Sequence, residues 1–227
     1  LVSGLLLKST IYLFDGSPFY PNEEVLWEFV DKEKINFMGV SAKYIDALSK
    51  NNISIIDKYK LNDLEIIGST GSPLIHESFD YIYNKVKIDV SVASLSGGTD
   101  LVGCFIGGNP MSSVRRGEIQ GPILGMDVHV FDDKGNSIEN EKGELVCTQS
   151  FPTMPLFFWN DHKNEKYHNA YFNKFENVWC HGDYVYKTED NGFIIFGRSD
   201  ATLNPGGVRI GTAEIYRQVE QLEEVLE

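Results

Sequence analysis

Hydrophobic positions in the first hundred residues alternate between a helical and a strand period. Val25, Leu26 and Phe29 lie on one face of a helix that Asn22 can cap. Further patterns follow in the order strand 36–40, helix 43–50, strand 64–67, helix 75–84 and strand 88–92. This alternation with short links predicts an α/β fold with a parallel βαβαβ layer. We also expect residues 1–14 to form a buried helix turn and a strand.

From residue 119 onward the pattern changes to short strands joined by turns. The predicted strand pairs are 128–131 with 143–146, and 185–186 with 193–196. Asp-Asp-Lys-Gly-Asn and Glu-Asp-Asn-Gly, which separate the members of each pair, are turn signals. A helical pattern begins near Thr212. The second half is therefore predicted to be a small antiparallel β unit that leads into a further helix.

Composition narrows the classes of function. Hydrophobic residues make up 42% of the 227 residues, enough for a packed core. A formal net charge of −13 argues against binding to nucleic acids or anionic membranes, so an anionic ligand needs local arginines, backbone amides or a metal. No apolar run is long enough for a membrane span. The three widely spaced cysteines predict reduced thiols in a cytoplasmic protein and neither a disulfide framework nor a zinc site.

Small and polar residues cluster where two of the predicted parallel strands end, which is where such sheets bind ligands. Ser96-Gly97-Gly98-Thr99-Asp100 offers backbone amides, a hydroxyl that can donate to a phosphate and a carboxylate that can hold Mg²⁺. The alternative is a glycine-rich turn in which Thr99 and Asp100 cap the next segment. No Gly-Lys-Ser/Thr sequence follows, so it is not a Walker A loop.

Three other stretches are candidates for ligand contacts. The loop Gly71-Ser72-Pro73 can face a base, although the residues alone favour a simple break before a helix. Asp183 follows Gly182 and is either a turn residue or an acceptor for ribose hydroxyls. The aromatic tract from Trp159 to Trp179 indicates packing under a long loop and not a nucleic-acid surface.

The stretch 197–212 contains two arginines around a glycine pair. Arg198 and Arg209 can bind phosphate or carboxylate oxygens, and Gly206-Gly207 between them lets a ligand approach the backbone. A surface turn with two solvated arginines is an equal alternative on these residues alone. Nothing matches the G-x-S-x-G elbow of α/β-hydrolases.

Together and in this order, these motifs resemble the adenylate-forming acyl-CoA synthetase superfamily, and within it the acetoacetyl-CoA synthetase family. The resemblance covers essentially the whole chain. It implies that the nucleotide contacts are made by Gly71, Ser72, Pro73, Ser96, Gly98, Thr99, Asp183, Arg198 and Arg209.

The resemblance also implies a two-step ligation of acetoacetate, ATP and coenzyme A. Thr99, Arg198 and Arg209 would be catalytic, Asp100 would hold Mg²⁺, and the glycine pair Gly206-Gly207 would admit the pantetheine arm of coenzyme A. Asp200 would be the hinge of a mobile C-terminal domain.

Substrate choice is implied by two pocket positions, Thr70 and Gly97. Acetate-specific relatives place a Trp where this chain has Gly97, so a hydrogen there would open the acyl pocket for a group larger than acetyl. Together with the Phe158–Asp161 tract this favours acetoacetate. A ligase for another short-chain carboxylate, and a non-catalytic nucleotide-binding remnant, stay open as alternatives. Oligomeric state cannot be read from the sequence.

The resemblance divides the chain into three parts. Residues 1–118 would be the α/β part of the large adenylating domain, 119–198 a small β-rich subdomain, and 199–227 the hinge with the start of a mobile C-terminal α+β domain. The family's pyrophosphate-binding loop would lie before Leu1, and its adenylation lysine after Glu227. We therefore expect a fragment that alone shows no acetoacetate-dependent exchange between ATP and pyrophosphate.

Overall fold

A three-stranded parallel sheet with helices between its strands forms the first half of the molecule. The structure is a computed structural model that describes residues 2–201, 203 and 210–219. The elements of this half are helix α1 (Val2–Leu6), helix α2 (Val25–Glu33), strand β1 (Phe37–Ser41), helix α3 (Ala42–Lys50), strand β2 (Ile66–Thr70), helix α4 (His76–Tyr81), a π-helical turn (Ile82–Val86) and strand β3 (Ser91–Ser94). The strand order is β1-β2-β3, and the predicted βαβαβ layer is confirmed.

Apolar side chains from the sheet and its helices form one core. Trp27 of α2, Ile45 of α3 and Ile67 of β2 are completely buried in it. Ser41 ends β1 and starts α3, because its hydroxyl accepts a hydrogen bond from the Tyr44 amide at 3.2 Å. The strand-to-helix junction is thus fixed by a cap and by burial of the helix face behind it.

Strand β3 begins three residues later than the apolar alternation predicts. Ile88 is 76% exposed, whereas Val90 and Val92 are buried. The Lys87 amide bonds the Ile82 carbonyl at 2.9 Å and closes the π-helical turn, so Ile88 and Asp89 lie in the turn that follows. Alternation alone does not show this, because a turn can carry an apolar residue into solvent.

The prediction of a buried helix turn and strand in residues 1–14 is wrong. Residues 2–6 are helical, but Leu6 is 82% exposed and no strand follows. Tyr12 and Phe14 contact the ring of Phe29, with centroid distances of 5.4 and 6.4 Å. The described residues of this segment therefore contact α2 through two aromatic rings and are not buried as expected.

Two antiparallel sheets form the second half. The elements are strands β4 (Ser96–Gly98), β5 (Gly103–Gly107), β6 (Gly121–Pro122), β7 (Val128–Phe131) and β8 (Lys142–Cys147), helix α5 (Glu165–Tyr171), strands β9 (Trp179–Lys187) and β10 (Phe193–Arg198), a 3₁₀ turn (Ser199–Ala201) and helix α6 (Thr212–Val219). The sheet orders are β4-β5-β6 and β10-β9-β8-β7. The predicted antiparallel unit is confirmed, and the β4-β5-β6 sheet is an addition that its short glycine-rich strands did not signal.

The predicted turns form through side-chain caps. Asp132 accepts hydrogen bonds from the amides of Lys134 and Asn136 at 2.9 and 2.8 Å. Between β9 and β10, the Thr188 hydroxyl accepts from the Gly192 amide at 3.1 Å. Each cap adds to the backbone hydrogen bonds that close the turn, such as the bond from the Thr188 amide to the Gly192 carbonyl at 2.9 Å.

The aromatic tract is only in part a buried layer. Tyr167 and Trp179 are buried in the core of the second half, and Phe175 packs in a small cluster beside it. Trp159 is 87% exposed, so the packing prediction is wrong for this residue. Trp159 lies between two residues with different surroundings. The ring of Phe158 before it contacts Tyr167, and Asn160 after it has a positive φ of 58°.

The buried side chains form two main cores. The first runs along the chain from Trp27 to Val92, and the second from Leu101 to Phe193. Ile119 joins the second core through a bridge to Phe193. The domain limits at residues 118 and 198 stay predictions. None of the helices in the described residues has the length and apolar character needed to cross a membrane.

We predict that Ile67→Ala lowers the free energy of unfolding by about 2–5 kcal/mol, because it leaves a cavity in the first core. Ile88→Ala, at the exposed turn, should change it by less than about 0.5 kcal/mol. Denaturation followed by tryptophan fluorescence, to which Trp27 of the same core contributes, and by far-ultraviolet circular dichroism measures both. Equal losses would show that Ile88 is packed and that the placement of β3 is in error.

Candidate functional site

Asp183 is the buried carboxylate around which the candidate site is built. It lies in the middle of β9, directly opposite Arg198 at the end of β10. Arg198 Nη1 donates to Asp183 Oδ1 at 3.2 Å, and the Ser96 hydroxyl of β4 donates to Oδ2 at 2.6 Å. A buried charge is costly unless it is paired and hydrogen-bonded, and these two donors supply both conditions.

Gly182 allows the Arg198 side chain to lie across β9. Its φ of +81° is in the left-handed region, and a Cβ there would lie 2.6 Å from Arg198 Nη2. Arg198 Nη1 also donates to the His181 carbonyl at 2.9 Å. The predicted Gly-Asp pair therefore has a structural reason: the glycine leaves room for the guanidinium that pairs with the aspartate.

His181 ties β9 to β4, and sequence reasoning missed its role. Its Nε2 lies 3.2 Å from the carbonyl oxygen of Gly97, so this nitrogen carries the proton and donates. The buried ring contacts Phe105 edge-to-face at a centroid distance of 4.9 Å. Its position next to the Gly-Asp pair was the only signal in the sequence.

Glycine is required at both Gly97 and Gly98 of β4, because other atoms lie where a Cβ would be. A Cβ at Gly97 would lie 2.1 Å from the carbonyl oxygen of Gly103 in β5, and one at Gly98 would lie 1.9 Å from Asp100 Oδ1. Gly97 thus lets two backbones come together, and Gly98 lets the Asp100 carboxylate fold back over the turn. The opening of an acyl pocket at Gly97 stays a prediction, and in this arrangement a side chain there points at β5.

Thr99 and Asp100 lie in an exposed turn after β4. The Tyr171 hydroxyl of α5 donates to Asp100 Oδ2, and the Tyr171 ring stacks on Trp179 at a centroid distance of 3.7 Å. Burial, followed by this hydrogen bond, raises the pKa of Tyr171 well above its usual value, so the hydroxyl keeps its proton and stays the donor. Tyr171 was seen in the sequence only as an aromatic of the tract.

Asp100 offers a single carboxylate to a metal ion. In the part of the chain that the structure describes, no group of three or more His, Cys, Asp or Glu side chains could hold a metal. Mg²⁺ commonly uses one or two carboxylates, several waters and substrate phosphates, and an exposed carboxylate fits this mode. A metal enclosed by protein ligands does not fit.

The loop after β2 lies beside the chain that leads from β3 into β4. The Leu95 amide bonds the Ser69 carbonyl at 3.0 Å, and the Thr70 hydroxyl donates to the Leu95 carbonyl at 3.3 Å. Gly71, with φ +93°, has open space where a side chain would be, and Ser72 is exposed. The loops at the ends of these two parallel strands therefore share one edge, as their sequence positions predicted.

The predicted hinge begins at the end of β10. Arg198 Nε lies 3.7 Å from the exposed Asp200, and the Ser199 hydroxyl donates to the buried Glu144. Of the residues beyond it, Arg209 and the pair Gly206-Gly207 lie outside the described residues. Of the site residues that the resemblance implies, the structure joins Ser96, Asp183 and Arg198 by hydrogen bonds.

Helix α6 packs against β10 through two glycines. A Cβ at Gly197 would lie 2.3 Å from the Thr212 hydroxyl oxygen, and one at Gly211 would lie 2.2 Å from the Phe196 carbonyl oxygen. Lys142 of β8 pairs with Glu214 of α6 at 2.6 Å. The helix predicted to begin near Thr212 is confirmed at its start, and it is attached to the antiparallel sheet.

Comparison with known proteins gives a consistent result. The chain is 55% identical to an acetoacetyl-coenzyme A synthetase of Rhizobium meliloti over 227 residues, all of this chain and 35% of that protein. It is 45% identical to the acetoacetyl-CoA synthetase of Gallus gallus over 99% of this chain and 34% of that protein. No protein-family model matches.

A solved structure is similar over the same range. The acetoacetyl-CoA synthetase from Streptomyces lividans superimposes with a TM-score of 0.92 at 40% identity, over 100% of this chain and 35% of that one. The chain thus spans about a third of the length of the relatives that it matches. Over the segment that it spans, the chain is similar to acetoacetyl-CoA synthetases in both sequence and fold.

Proposed function

We propose that the protein, at the full length of its relatives, is an acetoacetate–CoA ligase that uses ATP and forms AMP. The observation that carries this proposal is the 55% identity to an acetoacetyl-coenzyme A synthetase along the whole chain. The cluster of Ser96, Asp183 and Arg198 supports it, because it supplies a fixed acceptor and a cation at one site.

In the first proposed step, a carboxylate oxygen of acetoacetate attacks the α-phosphorus of ATP. The bond to pyrophosphate breaks, and acetoacetyl-adenylate forms. Negative charge on the phosphoryl oxygens is stabilised by hydrogen bonds and cations that are already in position. Thr99 has an exposed hydroxyl and Arg198 a half-exposed guanidinium for this role, and Arg209 is proposed to join them. Mg²⁺ at Asp100 would neutralise phosphate charge.

Asp183 is proposed to accept hydrogen bonds from the ribose hydroxyls. A carboxylate has about four acceptor positions, and the two donors on Asp183 leave positions for a ligand. The adenine would lie against the loop Gly71-Ser72-Pro73, whose exposed backbone is at the same sheet edge. Thr70 and Gly97 are proposed to border the acyl group.

In the second proposed step, the thiol of coenzyme A attacks the acyl carbonyl. AMP leaves with the electron pair of the broken bond, and the thiol proton goes to solvent. Rotation about Asp200 would exchange the residues that face the adenylate between the steps, with Gly206-Gly207 admitting the pantetheine arm. The three free cysteines support a cytoplasmic location, and the acidic charge supports small-molecule partners and not nucleic acid.

A panel of carboxylates tests the substrate. At the full length of the relatives, we predict that acetoacetate supports ATP–pyrophosphate exchange with a higher kcat/KM than acetate, propionate or butyrate. A higher kcat/KM for another acid would instead support a ligase for that short-chain carboxylate. Nucleotide binding without exchange for any acid would support the non-catalytic remnant.

Ser96→Ala should weaken AMP binding about tenfold, because Asp183 loses a donor that orients it, and hydrogen bonds to charged groups are worth about 1.5–3 kcal/mol. Titration calorimetry measures the affinity. Ser69→Ala is the matched control: Ser69 is also a buried serine at a strand end, and its hydroxyl has no hydrogen-bond partner among the described residues. Equal losses in both variants would contradict the role of Ser96.

Asp100→Ala should lower the rate of Mg²⁺-dependent adenylation more than it lowers the affinity for a stable acyl-adenylate analogue. The reason is that the adenylate no longer carries the β- and γ-phosphates that bind the metal. Single-turnover kinetics and equilibrium binding separate the two effects. If rate and affinity fall together, Asp100 has a structural role only.

A further inference from the structure

The Asp100 carboxylate is held by a neutral donor and not by a cation. Tyr171 donates its hydroxyl proton to Oδ2, and in residues 2–201, 203 and 210–219 Asp100 forms no ion pair. The two buried carboxylates nearby are different: Asp183 pairs with Arg198, and Glu144 with Lys174. Asp100 is therefore fixed in orientation while its negative charge stays available.

The Tyr171 hydroxyl has a rigid support. Its ring lies nearly parallel to the Trp179 indole, with an interplanar angle of 14°. Phe158 and Tyr167 contact the same ring edge-to-face, at centroid distances of 5.7 and 5.6 Å. Trp179 is 1% exposed and lies on β9, the strand that also carries Asp183. Tyr171 thus connects the Asp100 carboxylate to β9, which is the strand that carries Asp183.

The second oxygen of Asp100 occupies the space that a side chain at residue 98 would fill. Oδ1 lies over Gly98, at 1.9 Å from the position that a Cβ of that residue would take. Gly98 thus leaves room for this orientation, and the hydrogen bond from Tyr171 restricts rotation of the carboxylate away from it. Mg²⁺ demands near-ideal octahedral geometry, so a carboxylate that is already oriented binds it at a lower entropic cost.

We propose that Tyr171 is a positioning residue that holds the Asp100 carboxylate in the orientation in which it binds a divalent cation together with nucleotide phosphates. Partners of this kind orient metal-binding side chains, and their loss typically reduces metal affinity 10–100-fold. The assignment of the phosphates to a nucleotide rests on the proposed function.

The test uses Tyr171→Phe in the protein at the full length of its relatives. This change keeps the ring that stacks on Trp179 and removes only the hydroxyl. The probe is α,β-methylene-ATP, whose binding is measured calorimetrically over a series of Mg²⁺ concentrations. We expect the Mg²⁺ concentration for half-maximal binding to rise about tenfold. The affinity for AMP, measured without metal, should not change.

Tyr167→Phe is the matched control. Tyr167 lies on the same helix, and its hydroxyl donates to the Pro155 carbonyl at 2.5 Å and does not reach Asp100. This variant should leave the Mg²⁺ dependence unaltered. In an Asp100→Asn background, Tyr171→Phe should have no further effect, because Tyr171 acts through Asp100.

Three results would overturn the proposal: an unchanged Mg²⁺ dependence in Tyr171→Phe, an equal loss of AMP affinity, or the same shift in Tyr167→Phe. Wild-type binding of the analogue that does not depend on Mg²⁺ would also overturn it. Absence of acetoacetate turnover is a separate result. It would remove the proposed substrate while the metal-dependent binding of the analogue still reports on Tyr171.

Discussion

The buried negative charge of Asp183 is the constraint on which the site depends. A carboxylate removed from water requires donors, and its donors come from different strands: Ser96 from β4 and Arg198 from β10. The Ser96 hydrogen bond holds β4 of one antiparallel sheet against β9 of the other, whereas Arg198 pairs with Asp183 within a single sheet. His181 adds a third connection through the Gly97 carbonyl. The position of β4, and with it of the turn at Thr99 and Asp100, thereby depends on the same interactions that stabilise the fold.

Two kinds of group surround this carboxylate and perform different tasks. Arg198 is a cation that is half exposed, so it pairs with Asp183 on one side and can meet an anionic ligand on the other. Ser96 is buried, and its hydroxyl donates to Asp183. The family resemblance implies that both residues contact the nucleotide, and this stays a prediction. Burial distinguishes their surroundings in a way that residue type does not.

Much of the fold follows from the sequence, because its signals are local. The alternation of periods in residues 25–92 predicts the parallel layer, and the capped turns predict the antiparallel hairpins. The sheet β4-β5-β6 has no such signal, since its strands contain two to five residues and several glycines. The exposed turn at Ile88 was missed because an apolar side chain there satisfies the period without being buried.

The residues of the candidate site also fall into two groups, those that sequence motifs indicated and those that they did not. Ser96, Asp183 and Arg198 were recognised as motif residues, and the structure places them together. His181 and Tyr171 were not recognised as part of it, because each acts on a residue more than seventy positions away. Contacts over such separations are decided by how the two sheets meet. That depends on the shapes of many side chains at once.

Gly97 carries a further consequence for how such a site can change. Because the space beside its Cα is filled by the Gly103 carbonyl, any side chain at this position has to displace β5. The Cα of Cys104 would lie 2.3 Å from a Cβ at this position. A larger residue at position 97 alone would therefore disturb the pairing of β4 with β5. Selection or design that enlarges this residue has to alter residues 103–104 with it, so the identity of residue 97 and the architecture of this sheet can change only together.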